Sequence, residues 1–252
     1  CYMEFYSELN NEKIKIDFDS PIDISVPIEF KDNCLLAWDQ SKPKKSPVRK
    51  GDWEGSIKNG ASVNFNNIFF NPHAHITHTE CCGHISIEEE SINSIQKSFF
   101  FFSKLITVRP KKKGMDLVIS EDMILEKINH EFKYETLIIR TNPNLPTKKN
   151  TNYSGSNPPY LTKDCILFIK KLGVKNLLID LPSIDKEKDA GKVVNHKIFF
   201  DIINGGNTNT ITELIYVPSK VPDGDYLLNL QFMPINNDAA PSRPILFKIQ
   251  RL

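Results

Sequence analysis

The chain has 252 residues and a formal net charge of +1, with 40% of its residues hydrophobic and 25% charged. This balance provides no long-range attraction toward nucleic acid or an anionic membrane, so we expect neither as a partner. No apolar run approaches the roughly 20 residues that a membrane-spanning helix needs. Since no internal repeat or clean boundary is visible, we expect one domain over residues 3–252, with Met3 as the natural start.

Five cysteines do not predict a disulfide framework, because no CxxC pair is present. Cys81 and Cys82 are adjacent, whereas Cys34 and Cys165 stand alone. Free thiols in a reducing compartment are the simpler interpretation, so we expect a cytoplasmic protein.

Alternation of polar and apolar residues predicts strands at residues 13–18, 23–28 and 63–72. A break at Ser20 and Pro21 separates the first two. Residues 41–60 are rich in lysine, proline and glycine and are predicted to be loop. Residues 85–96 are predicted to be a weak helix or a loop, and residues 98–109 to contain a buried strand.

Helix and buried-strand signals alternate in the rest of the chain. Ser120 can cap a helix through Asn129, and Thr162 can cap a helix through Leu172, with Gly173 in the terminating position. Because a buried strand follows the second helix directly, we expect α/β layers in a β-rich fold. Residues 142–159 form a long polar segment, which we expect to be a lid. The remaining predicted elements are a helix at residues 198–203 and strands at residues 136–140, 174–181, 211–217, 226–233 and 245–250.

Four of the six histidines fall within NPHAHITHTECCGHI, residues 71–85. Imidazole and carboxylate groups are preferred ligands of borderline divalent metals such as zinc, so we interpret this stretch as a metal site. A polar, solvent-exposed loop is the alternative. In an extended strand, His73 and His75 would lie on one face. The opposite face would carry His78, Glu80, Cys82 and His84.

Two further candidate ligands lie in the carboxy-terminal half. His196 opens an apolar segment, and Glu213 lies within ITELIYV, where a carboxylate is costly unless it is paired or bound to a metal. The pattern alone leaves structural roles equally open: a helix-capping or core histidine for His196, and an outward-facing strand residue for Glu213.

Several segments resemble, in order and spacing, the putative cyclase superfamily, which includes bacterial kynurenine formamidases and isatin hydrolases. The resemblance extends from Asp23 to the end of the chain. It implies a swivelling β/β/α fold. The segments are THTECCGH, PPYLTKDCILFIKKLGVKNLLIDLPSID, NHKIFF, ITEL and DAAPSRP.

The resemblance also implies roles for individual residues. The family signature HxGTHxDxPxH matches at Thr77, His78, Glu80 and His84. His84 would be the general acid/base, and Ser183 and Asp185 would orient ligands. The implied metal ligands are His78, Glu80, His196 and Glu213.

The sequence departs from this signature in four places, one of which is Ile76 in place of glycine. The first histidine of the signature falls at Ala74. We expect His73, at a strand end where a bulge is easiest, to replace it, with His75 as the alternative. Glu80 stands in place of aspartate, and Cys82 in place of proline. Cys82 is either a further ligand or, as we favour, a small buried hydrophobic residue.

The implied function is a metal-dependent hydrolase of a C–N amide bond, arylformamidase-like or acting on a cyclic amide, with metal-activated water and His84 as acid/base. We expect one or two divalent ions, zinc first and manganese as the alternative. For a small-molecule substrate, Trp38 and Trp53 are the expected aromatic walls. A homodimer or larger homo-oligomer is also implied. The alternatives are a metal-poor or non-catalytic ligand-binding relative, and a lyase or cyclase of a small metabolite.

Overall fold

A ring of hydrogen-bonded strands forms the centre of the fold in the computed structural model, which describes residues 5–9, 12–128 and 135–252. The expected start at Met3 and the expected helix end at Asn129 lie outside these residues. The strands are β1 (Phe5–Leu9), β2 (Glu12–Asp23), β3 (Lys44–Pro47), β4 (Arg49–Lys50), β5 (Trp53–Glu54), β6 (Asn66–Phe69), β7 (His78–Glu80), β8 (Phe100–Val108), β9 (Lys111–Lys113), β10 (Asp116–Ile119), β11 (Thr136–Thr141), β12 (Tyr160–Leu161), β13 (Asn176–Ile179), β14 (Thr210–Glu213), β15 (Gly224–Phe232) and β16 (Ala239–Arg251). The helices are α1 (Pro72–His75), α2 (Ile92–Ile95), α3 (Glu121–Leu125), α4 (Lys163–Lys171) and α5 (Val194–Phe199), and 3-10 turns cover Ile57–Asn59, Cys82–His84, Pro146–Asn150 and Ile202–Asn204.

The ring closes because β7 pairs along both of its edges. It is antiparallel to β14 on one side and to β16 on the other, so the order β16-β15-β8-β11-β13-β14-β7 returns to β16. These seven strands form a barrel, which β2 and then β1 extend outward from β16. Separate small ladders join β9, β10 and β12, then β3 and β6, then β4 and β5. The prediction of a β-rich α/β fold is confirmed.

Both faces of the central parallel strands are buried. Ile138 of β11 packs with Leu105 and Leu178 from the neighbouring strands inside the barrel. Leu137 and Ile139 point to the other face, where α3, α4 and α5 cover them. A strand that is buried on both faces reads as a continuous apolar run, which is why these strands could be recognised in the sequence.

Helix α4 begins as predicted, with the Thr162 hydroxyl accepting a hydrogen bond from the Cys165 amide at 3.3 Å. Gly173 follows the helix with a φ of 79°, a left-handed conformation that glycine adopts without steric cost. No helix in the described part of the chain is long and apolar enough to cross a membrane.

The predicted break at Ser20 and Pro21 is wrong, because β2 continues through both residues. The irregularity appears instead in its pairing with β16, where the register shifts between Leu246 and Lys248. A proline cannot donate to a strand ladder, and a bulge accommodates it without ending the strand. The second strand predicted at residues 23–28 does not form.

Other predicted elements differ in their limits. The strand expected at residues 63–72 is reduced to β6 and passes into α1, and the loop expected at residues 41–60 contains β3, β4 and β5. The helix expected at residues 198–203 begins earlier, at Val194, and ends at Phe199. Strand β14 ends at Glu213 because Leu214 has a φ of 57°, in the left-handed region, which interrupts an extended chain.

A buried ion pair ties the segment that we predicted to be a lid to the barrel. Lys148, in a 3-10 turn, places its Nζ 2.7 Å from Asp180 Oδ2 and 2.6 Å from the Thr141 carbonyl oxygen. The Thr141 amide and hydroxyl also donate to Asp180. Burial raises the pKa of Asp180 above its ordinary value, although Lys148 and Thr141 act to lower it. The carboxylate therefore depends on Lys148 for its charge balance.

We predict that Lys148→Met lowers the free energy of unfolding by about 3–5 kcal/mol, because it leaves a buried carboxylate without its cation. An acid whose pKa is higher in the folded state favours folding below its unfolded pKa, and this contribution is lost as the pH rises through the folded pKa. The decrease in unfolding free energy caused by Lys148→Met should therefore be smaller near the ordinary carboxyl pKa, where Asp180 can hold a proton, than at neutral pH. Urea unfolding at several pH values measures it. Lys148→Met combined with Asp180→Asn should recover part of the loss, and an unfolding free energy unchanged in Lys148→Met would contradict the prediction.

Candidate metal centre

The histidine-rich stretch is folded into three short pieces: α1, then β7, then the 3-10 turn Cys82–His84. Asn71 caps α1 by accepting a hydrogen bond from the His73 amide at 2.9 Å, and Pro72 occupies the first helical position. The predicted extended strand with alternating faces is therefore wrong. His73 reaches the same centre as His78 because a helical turn, and not a bulge, reorients it.

Strand pairing and helix α5 bring distant residues to this centre. The register of β7 with β14 places Glu213 opposite His78, and Glu213 Oε2 lies 3.5 Å from His78 Nε2. His196, on α5, places its Nε2 2.9 Å from Glu80 Oε1 and 3.7 Å from Glu213 Oε1. His73 Nδ1 lies 3.2 Å from Glu80 Oε2. All the residues proposed from the sequence as ligands or acid/base meet here: His73, His78, Glu80, His84, His196 and Glu213.

Two of the four imidazoles are oriented by acceptors on their outer side. The Nδ1 of His78 is 3.1 Å from the Ile76 carbonyl oxygen, and the Nδ1 of His196 is 2.7 Å from Asp185 Oδ2. Asp185 is held in turn by the Ser183 hydroxyl, which accepts from its amide. An outer N–H bound in this way leaves the inner nitrogen lone pair free for a cation.

Asp238 orients the other two rings, and the sequence reasoning missed it. Its Oδ2 lies 2.9 Å from His73 Nε2 and 3.0 Å from His84 Nδ1. The residue opens DAAPSRP, one of the segments that carried the resemblance, so a signal was present in the sequence. An aspartate after two asparagines is typical of a solvated turn, which hides its role.

The chemistry of the centre fits a cation. Among the residues that the structure describes, His78 Nε2 and both carboxylate oxygens of Glu80 are buried without a hydrogen-bond partner. The nearest imidazole nitrogens, those of His73 and His196, make ion-pair contacts with Glu80 at 3.2 and 2.9 Å. Unpaired buried polar atoms are costly, and a metal ion satisfies carboxylate oxygens and imidazole lone pairs together.

The protonation states favour the same conclusion. Burial and the neighbouring Glu80 raise the pKa of Glu213 well above its ordinary value. Burial also acts to raise the pKa of Glu80, but His84 and His196 outweigh it and hold this pKa well below its ordinary value. Burial lowers the pKa of His78 to about 3, and the charge on His73 acts in the same direction. Glu80 is therefore a carboxylate and His78 a neutral imidazole, the forms that bind metals.

Protons on two of the rings balance the buried negative charge. Burial acts to lower the pKa of His73, but its hydrogen bond to Asp238 and its contact with Glu80 raise the pKa to about 10. The pKa of His196 is raised well above its ordinary value by Glu80 and Asp185, again against burial. A divalent cation at this position would replace these protons.

The described residues offer three sets of donor atoms: His73, His84 and Asp238 form one, and the other two share Glu80. In one of these two sets, atoms of His73, His78 and Glu80 lie within 4.8 Å of one another, and in the other, atoms of Glu80, His84 and His196 do. Glu213 contacts a member of both sets that share Glu80, because it lies beside His78 and His196. A shared carboxylate between two donor sets can serve one ion or bridge two.

His75, the alternative for the family's first histidine, does not face the centre. Its Nδ1 accepts from the Asn71 amide at 2.8 Å, and its Nε2 lies 3.0 Å from the Ser41 carbonyl oxygen. Cys82 is also directed elsewhere, because its thiol donates to Glu90 Oε2 at 2.8 Å. Burial and Glu90 raise the pKa of this thiol to about 12. We therefore interpret Cys82 as a buried structural residue.

The two candidate aromatic walls are in different places. Trp38 lines a cavity of about 310 Å³ whose other lining residues include His73, His84 and His196. Its indole Nε1 donates to the His73 carbonyl oxygen at 3.2 Å. Trp53 lies on β5, is 41% exposed, and is not among the residues that line this cavity. The cavity leads from the surface to the histidines.

Residues 22–186 match the family model described as Putative cyclase. The chain belongs to this family. The match includes the histidine-rich stretch but ends before His196 and Glu213. The family model therefore does not align these two residues. A search of curated proteins finds no match.

Solved structures share the cyclase-family fold over most of the chain. A protein described as a potential metal-dependent hydrolase with cyclase activity has a TM-score of 0.63 at 16% identity, covering 90% of this chain and 97% of that one. Isatin hydrolase A from Labrenzia aggregata has a TM-score of 0.66 at 15% identity, covering 90% of this chain and 93% of that one. A protein of Bacillus stearothermophilus, described as a predicted metal-dependent hydrolase, has a TM-score of 0.59 at 18% identity, covering 90% of this chain and 98% of that one. The predicted fold family is confirmed.

For this cyclase-family chain, we predict that His73→Ala weakens zinc binding at least about tenfold, while His75→Ala leaves the affinity of the folded protein unchanged. Loss of a residue behind a metal ligand already costs about 10–100-fold, so loss of a ligand should cost no less. Competition with a chromophoric chelator measures the affinity, and circular dichroism establishes that both variants are folded. Weaker binding in His75→Ala alone would reverse the assignment.

Proposed function

We propose that the protein is a metal-dependent hydrolase of C–N amide bonds, acting on an aryl formamide or a cyclic aryl amide. The observation that carries this proposal is the buried Glu80 carboxylate, whose oxygens have no hydrogen-bond partner and lie among four imidazoles, three of which line a cavity together with Trp38. The isatin hydrolase among the structural neighbours supports a cyclic amide, although at 15% identity the likeness extends to the fold alone.

The residues that would hold the ion are those whose inner atoms converge on Glu80. A divalent cation bound there, zinc first and manganese as the alternative, supplies Lewis acidity that lowers the pKa of water and polarises a carbonyl group. Asp185 and the Ile76 carbonyl keep two of the rings in the required orientation. The proposed ligands are His73, His78, Glu80, His196 and Glu213.

His84 is suited to move protons between water and the leaving nitrogen. Its side chain is 32% exposed, compared with 19% for His73 and 0% for His78, and it lines the cavity. Its Nδ1 is held by Asp238, so its Nε2 is free to take a proton from water and return it to the amide nitrogen. Without this proton the nitrogen would have to leave as an anion, which makes it a poor leaving group.

The test is hydrolysis by the metal-free protein after addition of zinc or manganese, with an aryl formamide and a cyclic aryl amide as substrates. Release of the amine, or opening of the ring, supports the proposal. Two other outcomes identify the alternatives. Elimination or cyclisation of a hydroxy-carbonyl compound, without amide hydrolysis, favours a lyase or cyclase. This alternative is motivated by the cyclase activity in the description of one structural neighbour. Failure to bind either metal favours a non-catalytic relative. A homo-oligomer and a cytoplasmic location stay predictions.

We predict that His84→Gln lowers kcat by about 10²–10⁴-fold while zinc content is retained, since general acid/base catalysis contributes about this factor. Steady-state kinetics and elemental analysis of the same preparation measure the two quantities. His75→Gln is the matched control, because it removes a buried histidine that does not face the cavity. Full activity in His84→Gln would exclude this residue as the acid/base.

We also predict that Trp38→Ala raises KM for an aromatic substrate about tenfold, because an aromatic contact contributes about 0.5–1.5 kcal/mol beyond buried area. Trp38→Phe should restore most of the affinity, since it keeps a flat apolar wall. Trp53→Ala is the control and should leave KM unchanged. Equal effects of the two alanine variants would show that Trp38 does not contact the substrate.

A further inference from the structure

Asp238 reaches the centre through the strand pairing that closes the barrel. It directly precedes β16, whose first residue, Ala239, lies opposite Glu80 on β7. The Cys81 amide donates to the Asp238 carbonyl oxygen at 3.1 Å, which fixes its backbone beside the site. Its carboxylate is thus delivered by the same ladder that carries Glu80.

One oxygen of this carboxylate serves two rings. Asp238 Oδ2 contacts His73 through Nε2 and His84 through Nδ1, and the two ring centroids are 4.3 Å apart with a 30° angle between the planes. The inner nitrogens are consequently different atoms. Nδ1 of His73 lies 3.2 Å from Glu80 Oε2, and Nε2 of His84 lies 3.9 Å from the same oxygen.

We propose that Asp238 is a shared positioning residue, which fixes His73 with Nδ1 inward as a metal ligand and His84 with Nε2 inward as the proton carrier. A carboxylate behind a metal-binding imidazole sets its tautomer and its orientation. Hydrogen bonds to an ionised acceptor are also shorter and stronger than neutral ones. The His84 half of the proposal rests on the proposed function, and the His73 half requires only metal binding.

The shared contact also accounts for the position of His73 one residue before the family's first histidine. A histidine at Ala74 would start about 100° further around the helical turn. From its own position, His73 presents Nδ1 and not Nε2 to Glu80, and this reversed ring needs an acceptor at Nε2. Asp238 supplies that acceptor. The assignment thus connects the departure at Ala74 with a residue 164 positions later in the chain.

The test is a double-mutant cycle that measures zinc affinity and kcat for Asp238→Ala, alone and combined with His73→Ala or His84→Gln. Alone, Asp238→Ala should weaken zinc binding by about tenfold or more and lower kcat to a similar extent. The affinity loss should vanish in the His73→Ala background, and the kcat loss in the His84→Gln background. Asp238→Asn keeps a neutral acceptor and should have an intermediate effect. It also keeps the test decisive if the alanine variant does not fold.

Asp225→Asn is the matched control. This aspartate is similarly buried, with 17% of its side chain exposed compared with 25% for Asp238, and it contacts Lys104 and Arg251 away from the site. It should leave zinc affinity unchanged. The proposal is overturned if Asp238→Ala loses neither zinc affinity nor kcat. It is also overturned if both losses persist undiminished in the His73→Ala and His84→Gln backgrounds. If the unaltered protein hydrolyses no amide, the proposed function fails. The zinc cycle with His73→Ala and the ring-nitrogen NMR shifts of His84 then decide the proposal by themselves.

Discussion

The double pairing of β7 is the constraint on which the centre depends. Because β14 lies along one edge and β16 along the other, His78 and Glu80 face Glu213 on one side and have Asp238 on the other. Glu213 and Asp238 lie more than 130 positions after Glu80 in the chain. A three-residue strand could not hold such an arrangement alone, so the closed barrel is what fixes the relative positions of the donor groups.

Charge balance is the second constraint. Glu80 and Glu213 are buried side by side, and the structure surrounds them with imidazoles whose outer nitrogens are held by acceptors. A protein interior that concentrates carboxylates in this way stabilises itself by binding protons or cations. The buried walls exclude competing water, which strengthens the binding of whichever cation occupies the centre. The same arrangement therefore explains both the perturbed pKa values and the suitability for a metal.

The sequence predicted the members of the centre better than their geometry. His78 and Glu80 were identifiable from the histidine-rich stretch, whereas His196 and Glu213 were selected by the family resemblance, because the cost of an ionisable group in an apolar segment left a structural role equally open. His73 was selected for a wrong reason: Asn71 and Pro72 are a helix-start signal, and we interpreted the stretch as an extended strand. Continuous apolar runs revealed the parallel strands, but nothing local in the sequence specifies which strand closes the barrel. Asp238 was missed because its role exists only after that closure.

The asparagine-capped turn at the start of the histidine stretch has a consequence for recognising relatives. A search pattern that fixes three residues between the first two histidines of the signature would reject this chain, since the position of the first is Ala74. Yet the turn lets an imidazole from the preceding position reach the same carboxylate. A pattern that joins an Asn-Pro-His turn, a Thr-His-Thr-Glu strand and an aspartate just before the last strand would instead select chains in which the donor reaches the same point in space from a different place in the alignment.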